Sequence, residues 1–197
     1  MIYVPAFSNV AALSFLVEEN GSVATGLSPT TEGANILINN LFYDGKKYEL
    51  GRVGRYKYNK KLALATRIAG NVAAEDVVNE DGEILVAKGE KISLETANKI
   101  QNSGINVVYL AYTDEDGTAR SFKCIGNNTV DLDAFVNVNP REIGVLEKVY
   151  YPELKALMDE ITDEKELILA IQADLDKLVY KHITLDDIVS TVSYNLG

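Results

Sequence analysis

The chain has 197 residues, 47% of them apolar, and a formal net charge of −10. That length allows one domain, or one domain with an insertion, and the apolar share excludes global disorder. No apolar run reaches the ~18–20 residues that span a bilayer; the longest candidate, Val10 to Val17, is too short and contains Ser14.

Residues 1–27 are left unassigned. Met1 to Ser8 carries no positive charge, which argues against a signal peptide. Ala11 to Val17 is apolar and is broken by Glu18-Glu19-Asn20-Gly21. Thr30 can cap a helix running to about Leu41, with Glu32 in its first turn. Ala34, Leu37, Ile38 and Leu41 then share one face.

Next comes a basic stretch, Asp44 to Leu62, with Lys46, Lys47, Arg52, Arg55, Lys57, Lys60 and Lys61 against Asp44 and Glu49. It is net +5 in a chain of net −10, which leaves −15 for the remainder. Tyr43, Tyr48, Tyr56 and Tyr58 interleave with the cations. Such a segment suits contact with a polyanion or an acidic partner surface; a solvated charged edge is the plainer alternative. Gly45, Gly51 and Gly54 predict loop and turn backbone at its start, with Arg55 to Leu62 either extended or a short helix.

From Leu64 to about Val145 the pattern turns β-rich. Asn79-Glu80-Asp81-Gly82 predicts a hairpin turn, followed by a strand over Glu83 to Val86. Ser93 caps a helix over Leu94 to Asn102, ended by Gly104. Ile105 to Tyr112 and Ala119 to Ile125 read as strands joined at Asp114-Glu115-Asp116-Gly117. Cys124, the one cysteine, lies in a strand-like run, excludes an internal disulfide and fits a reducing cytoplasm. The tail is helical. Pro152 opens a helix with Leu154, Leu157, Met158 and Ile161 as its stripe. Thr162 can cap the next, lined by Leu167, Ile168, Ile171, Leu175 and Leu178. Thr184 to Asp187 gives a capping-box start to the last helix, with Ile188, Val189 and Val192 inward.

Three blocks carry a resemblance. Gly51-Arg52-Val53-Gly54-Arg55-Tyr56-Lys57-Tyr58-Asn59-Lys60-Lys61-Leu62 resembles the VGRxKxN(K/R)xL block of the bacterial RNA polymerase beta subunit, in its lobe region. Pro29-Thr30-Thr31-Glu32 through Asn40-Leu41-Phe42-Tyr43-Asp44 is similar to the helix before that block. Lys181-His182-Ile183 through Ser193-Tyr194 is similar to the KHI…DDI…ISY helix after it. The resemblance covers roughly residues 28 to 197.

It implies an α+β fold: a helical lobe body over 28–63 and 146–197, interrupted at 64–145 by a β-rich, barrel-sandwich-hybrid-like insertion. Lipoyl and biotinyl carriers use a similar fold, but Lys88 lacks the acidic or Met-flanked context of their modified lysine. The resemblance further implies a lobe wall beside DNA in transcription. Its partners would be DNA and the beta-prime, alpha and sigma subunits, with no membrane. The nucleotidyltransferase metals would be held by beta-prime, so no catalytic residue and no cofactor is expected in this chain. The block that follows the Ser-Tyr helix in the family is not reached at Gly197, as expected of a fragment.

Charge makes Arg52, Arg55, Lys57, Lys60 and Lys61 the candidates for DNA-backbone contact. Tyr56 and Tyr58 either stack on unpaired bases or pack into the body, and Asn59 can cap the following turn. No phosphate-binding Gly-x-x-x-x-Gly-Lys loop and no Gly-x-Ser-x-Gly elbow occurs. His182 is the single histidine, and no Cys or His stands near Cys124 in sequence to build a metal site. The alternative reading is a stand-alone acidic protein-interaction module or a truncated gene product.

Overall fold

The structure, a computed structural model, describes residues 50–196. Expectations for residues 1–49, including the Thr30-capped helix, Lys46 and Lys47, lie outside the described residues. The described residues to Asn195 belong to one compact unit, Glu49–Asn195, of mixed helix and strand.

Helix α1 (Gly51–Leu62) leads directly into α2 (Leu64–Ile68). Strand β1 (Val72–Ala73) follows, then a small hairpin of β2 (Val77–Val78) and β3 (Ile84–Val86). Its turn is built by Asn79, whose Oδ1 accepts from the backbone N–H of Asp81 and Glu83 at 3.1 and 2.8 Å. Helix α3 (Leu94–Gln101) starts on Ser93, whose hydroxyl accepts from Thr96 N at 3.0 Å, as the sequence predicts. Strands β4 (Val107–Thr113) and β5 (Ala119–Ile125) then pair antiparallel, from Val107 opposite Ile125 to Thr113 opposite Ala119. Their turn repeats the Asn79 device: Asp114 Oδ1 accepts from Asp116 N and Thr118 N at 3.1 and 2.8 Å. The Thr118 bond is the largest cause that holds the Asp114 carboxyl below its ordinary range.

The sheet order is β1-β4-β5, and none of the small sheets among the described residues closes into a barrel. Helix α2 packs against β4 and β5, and α3 packs against α2 and β3. Leu64, Ile68, Ile92, Ile100, Val108 and Cys124 are buried in the resulting core. Burial pushes the Cys124 thiol up, as expected for an inert structural cysteine.

A second core begins at Val130. Strands β6 (Thr129–Val130) and β7 (Val149–Tyr150) pair antiparallel, with 3-10 turns at Leu132–Ala134 and Pro140–Ile143 between them. Helix α4 (Tyr151–Glu160) carries Pro in its first turn and buries Leu154. Helix α5 (Glu164–Ala173) starts on Asp163 rather than on Thr162. Asp163 Oδ1 accepts from Lys165 N and Glu166 N, both at 3.0 Å; of two adjacent capping residues, the carboxylate satisfies two free N–H groups at once. The expected face from Leu167 to Leu178 is broken at Asp174, after which α6 (Leu175–Leu178) turns Leu178 into the core. Helix α7 (Leu185–Leu196) ends the described chain.

The two cores meet where Tyr151, at the head of α4, lies over the end of α3. Gly104 there has a φ of +77°, and a Cβ added to it would fall 2.2 Å from Tyr151 Cε1. Asn102 and Asp131 exchange hydrogen bonds beside this contact, Asp131 N donating to Asn102 Oδ1 at 3.0 Å. Gly104→Ala therefore adds left-handed strain to a ring clash. Its expected cost is about 2 kcal/mol or more of unfolding free energy. Urea unfolding followed by circular dichroism checks this, and a variant within about 0.5 kcal/mol of the parent would show the ring does not sit there.

Candidate functional site

Helix α1 has two faces with different work. Arg55, Asn59 and Leu62, at i, i+4 and i+7, are buried, and Arg52, Val53, Tyr56, Lys57, Lys60 and Lys61 are exposed. The helix begins at Gly51, so the loop expected over Gly51–Gly54 is not formed. Docking overrides the poor propensity of two glycines. Leu50 N donates to Lys181 O at 2.9 Å, and the absent side chain at Gly54 leaves room for Leu50, whose Cβ would lie 2.9 Å from an added Cβ.

Arg55 is 4% exposed and does not face solvent. Its Nη1 donates to both carboxylate oxygens of Asp187 at 2.9 and 2.8 Å, its Nε to Tyr180 O at 2.8 Å, and its Nη2 to His182 O. The planar fork is thereby spent inside the protein, which removes Arg55 from the outward-facing candidates for phosphate contact. Asp187 also accepts from Thr184 N at 2.9 Å, and Thr184 Oγ1 accepts from Asp187 N at 3.2 Å. This is the capping box the sequence predicts, here serving a buried ion pair as well. Asn127 Nδ2 bridges Asp187 Oδ1 and Asn59 Oδ1 at 3.0 and 3.1 Å. Asn59 thus joins a buried network as well as accepting Ala63 N on its carbonyl at 2.9 Å.

The layer continues along α7. Ser190 and Ser193, at i+3 and i+6 from Asp187, are buried. Ser190 Oγ donates to Ile125 O at 2.9 Å, and Ser193 Oγ accepts from Ile125 N at 3.0 Å and donates to Lys123 O at 3.1 Å. They satisfy the outer edge of β5, a task for polar side chains. Arg67 joins them, with Nη1 on Ile125 O at 2.5 Å and Nη2 on Ser193 Oγ at 3.0 Å. Burial lowers the Arg67 pKa from its ordinary value. The inward stripe of α7 is therefore largely polar. Of the three residues predicted inward, Ile188 is fully buried and Val189 and Val192 are half-buried. The sequence signal for the rest is the i, i+3, i+6 spacing of Asp187, Ser190 and Ser193, opposite two arginines twelve residues apart.

On the outer face, Lys57, Lys60 and Lys61 form no ion pair among the described residues, although acids outnumber bases, 29 to 19, in the chain. Arg52 stands near Glu147, whose carboxyl is pushed up by burial and partly drawn back by that cation. Tyr58 is half-buried, and its phenol is pushed up first by burial and then by the Asp187 charge. Tyr56 is 52% exposed, on the rim of a groove of about 530 Å³ that Lys60, Arg141 and Lys148 share with Asp131, Asp133 and Glu147. No group of three or more His, Cys, Asp or Glu side chains placed to hold a metal occurs among the described residues. No helix among them is long and apolar enough to cross a membrane.

Over 183 residues the chain is 46% identical to the DNA-directed RNA polymerase subunit beta of Clostridioides difficile (strain 630), and equally to those of Clostridium acetobutylicum and Clostridium novyi (strain NT). The chain is homologous to a segment of the RNA polymerase beta subunit. The match covers 92% of the chain and 14% of each of these relatives. No protein-family model matches the chain. The two beta-subunit-like blocks within the described residues, 51–62 and 181–194, are the ones that Arg55 and Asp187 hold together, 132 residues apart in sequence.

Two predictions follow from this geometry. Asp187→Ala leaves the Arg55 guanidinium buried without its counter-charge and is expected to cost about 3–5 kcal/mol. The double variant Arg55→Met, Asp187→Leu is expected to recover most of that loss in urea unfolding, and an equal loss in both would show that the pair is not buried as a unit. The second concerns Tyr150, whose hydroxyl donates to Asp186 and whose ring meets Tyr180 at 5.2 Å. Burial first, then the Asp186 bond, raises its pKa well above the ordinary phenol value. A raised folded pKa means the contribution is intact below about pH 10 and is lost as pH rises further, because the unfolded chain ionises first. Stability is expected to fall as pH rises past about 10. Tyr150→Phe should flatten that fall in thermal melts taken across the range, and an unchanged slope would contradict the assignment.

Proposed function

We propose that the chain acts as part of a DNA-directed RNA polymerase beta subunit in DNA-templated transcription, as a wall of the DNA cleft in the lobe region. The observation that carries the reading is a homologous segment whose exposed helix α1 holds Arg52, Lys57, Lys60 and Lys61 on one solvent face. Within that reading the outward cations contact phosphates and carry no base preference. Arg55 positions α1 from inside. Tyr58 packs, and Tyr56 remains available at the groove rim.

The β-rich part is read as an insertion in a helical body. The meeting of 51–62 with 181–194 supports this, because it brings the two ends of the body together across the intervening chain. The barrel-sandwich likeness of the insertion stays part of the proposal. The partners in this reading are DNA and the beta-prime, alpha and sigma subunits. The chain supplies no catalytic group and no cofactor of its own, and works in the cytoplasm.

The test is DNA affinity as a function of salt, read by fluorescence anisotropy on the full chain with a labelled duplex. Each phosphate contact contributes about 0.9 to the salt slope. Lys57→Gln and Lys60→Gln are each expected to lower the slope by about that amount. In the assembled polymerase, Arg52→Ala with Lys57→Ala should shorten the lifetime of promoter complexes in salt while nucleotide addition proceeds. Slopes and lifetimes equal to the parent would refute DNA contact by α1.

A further inference from the structure

The polar layer brings a third group of cations to the end of α1. Lys61 Nζ lies 4.4 Å from the centre of the Tyr194 ring, and Arg67 Cζ lies 5.6 Å from it. Tyr194 is 42% exposed, at the far end of α7 from Asp187. Arg67 differs from Arg55 in its acceptors. Arg55 is neutralised by a carboxylate, whereas the partners of Arg67 are carbonyl and hydroxyl oxygens. Neither Lys61 nor Arg67 has a carboxylate partner among the described residues.

Two like charges brought to one ring repel each other, and the ring quadrupole offsets only part of that, at about 0.5–1 kcal/mol per exposed cation. A half-buried guanidinium held by neutral oxygens has given up hydration for no counter-charge, and burial lowers its pKa. An external anion would relieve both conditions. A phosphate suits the chemistry, because it accepts from an ammonium and a guanidinium together.

Building on the reading that α1 meets DNA, we propose that Tyr194 with Lys61 and Arg67 forms a phosphate-binding point that carries the DNA backbone off the end of α1 and onto the end of α7. Tyr194 is here a positioning residue: it holds Lys61 in place by its ring, and the cations supply the attraction. Lys61 belonged to the basic stretch as a sequence, but Arg67 and Tyr194 join it only through the fold.

The experiment is a double-variant cycle on the full chain, with the same labelled duplex and salt series. Lys61→Gln is expected to lower the salt slope by about 0.9. Tyr194→Leu, which changes no charge, is expected to weaken binding several-fold, and the double variant to bind no more weakly than Lys61→Gln alone. Circular dichroism and urea unfolding confirm that each variant is folded. Because Arg67 also holds the β5 edge, it is tested by Arg67→Lys, which keeps the charge but loses the fork. Additive effects of Lys61→Gln and Tyr194→Leu, or no effect of Tyr194→Leu in a folded protein, would overturn the proposal. If Lys57→Gln and Lys60→Gln lower the slope while the Tyr194 cluster does not, the cluster fails and the α1 reading stands. If none of these variants changes binding, both fail.

Discussion

The buried pair of Arg55 and Asp187 is the constraint on which the arrangement of this chain depends. It joins the first described helix to the last across nearly the whole described sequence. A buried ion pair is a weak source of net stability, because desolvation consumes most of the Coulomb gain. What it supplies is register. A guanidinium whose Nη1 holds Asp187 while Nε and Nη2 hold the carbonyls of Tyr180 and His182 accepts one docking geometry, and a slip of one residue along α1 would leave a buried charge unmatched. The glycine-bearing helix α1 has little reason to form alone, so its helicity is a product of this docking.

The pair also divides the basic stretch into two populations. Charge counting treats Arg52 and Arg55 alike. Three residues of helix put them about a turn apart, yet one faces solvent and the other is buried. Local signals were well legible: the Ser93 cap, the Thr184–Asp187 capping box, and the Asn79 and Asp114 turns all form as their sequences predict, because each is decided by atoms a few residues apart. Long-range satisfaction was not. Asp187, Ser190 and Ser193 read as an ordinary polar helix face until Arg55, Arg67 and the outer edge of β5 are known to lie against it. Thr162 and Asp163 show the limit within local reading, since either could cap and the choice rests on which oxygen reaches two amides.

The polar layer explains how two apolar cores coexist in one compact unit without a long apolar seam. One core ends at Cys124 and the other begins at Val130. Between them run Ile125 to Thr129, whose backbone and Asn127 side chain are held by α7 and α1. An apolar stripe on α7 would have left the β5 edge unsatisfied, at about 1–3 kcal/mol for each orphaned group. Serines at the two positions next to that edge solve the problem with short side chains that allow close approach.

The same economy shapes the field outside α1. A helix dipole places partial positive charge at its N-terminus and partial negative charge at its C-terminus. At the N-terminal end the dipole adds to Arg52, but Glu147 subtracts. At the C-terminal end the dipole subtracts from Lys60 and Lys61, but Arg67 adds, held by neutral oxygens. Lys57, between the ends, is offset by neither. The positive field is thereby spread along the helix instead of concentrated at one terminus. A single small anion would gain most from a concentrated charge at a helix start, whereas a polymer of regularly spaced phosphates gains from a level strip. The distribution of compensating groups around α1 thus favours an extended polyanion over a point ligand, on grounds independent of how many lysines the stretch contains.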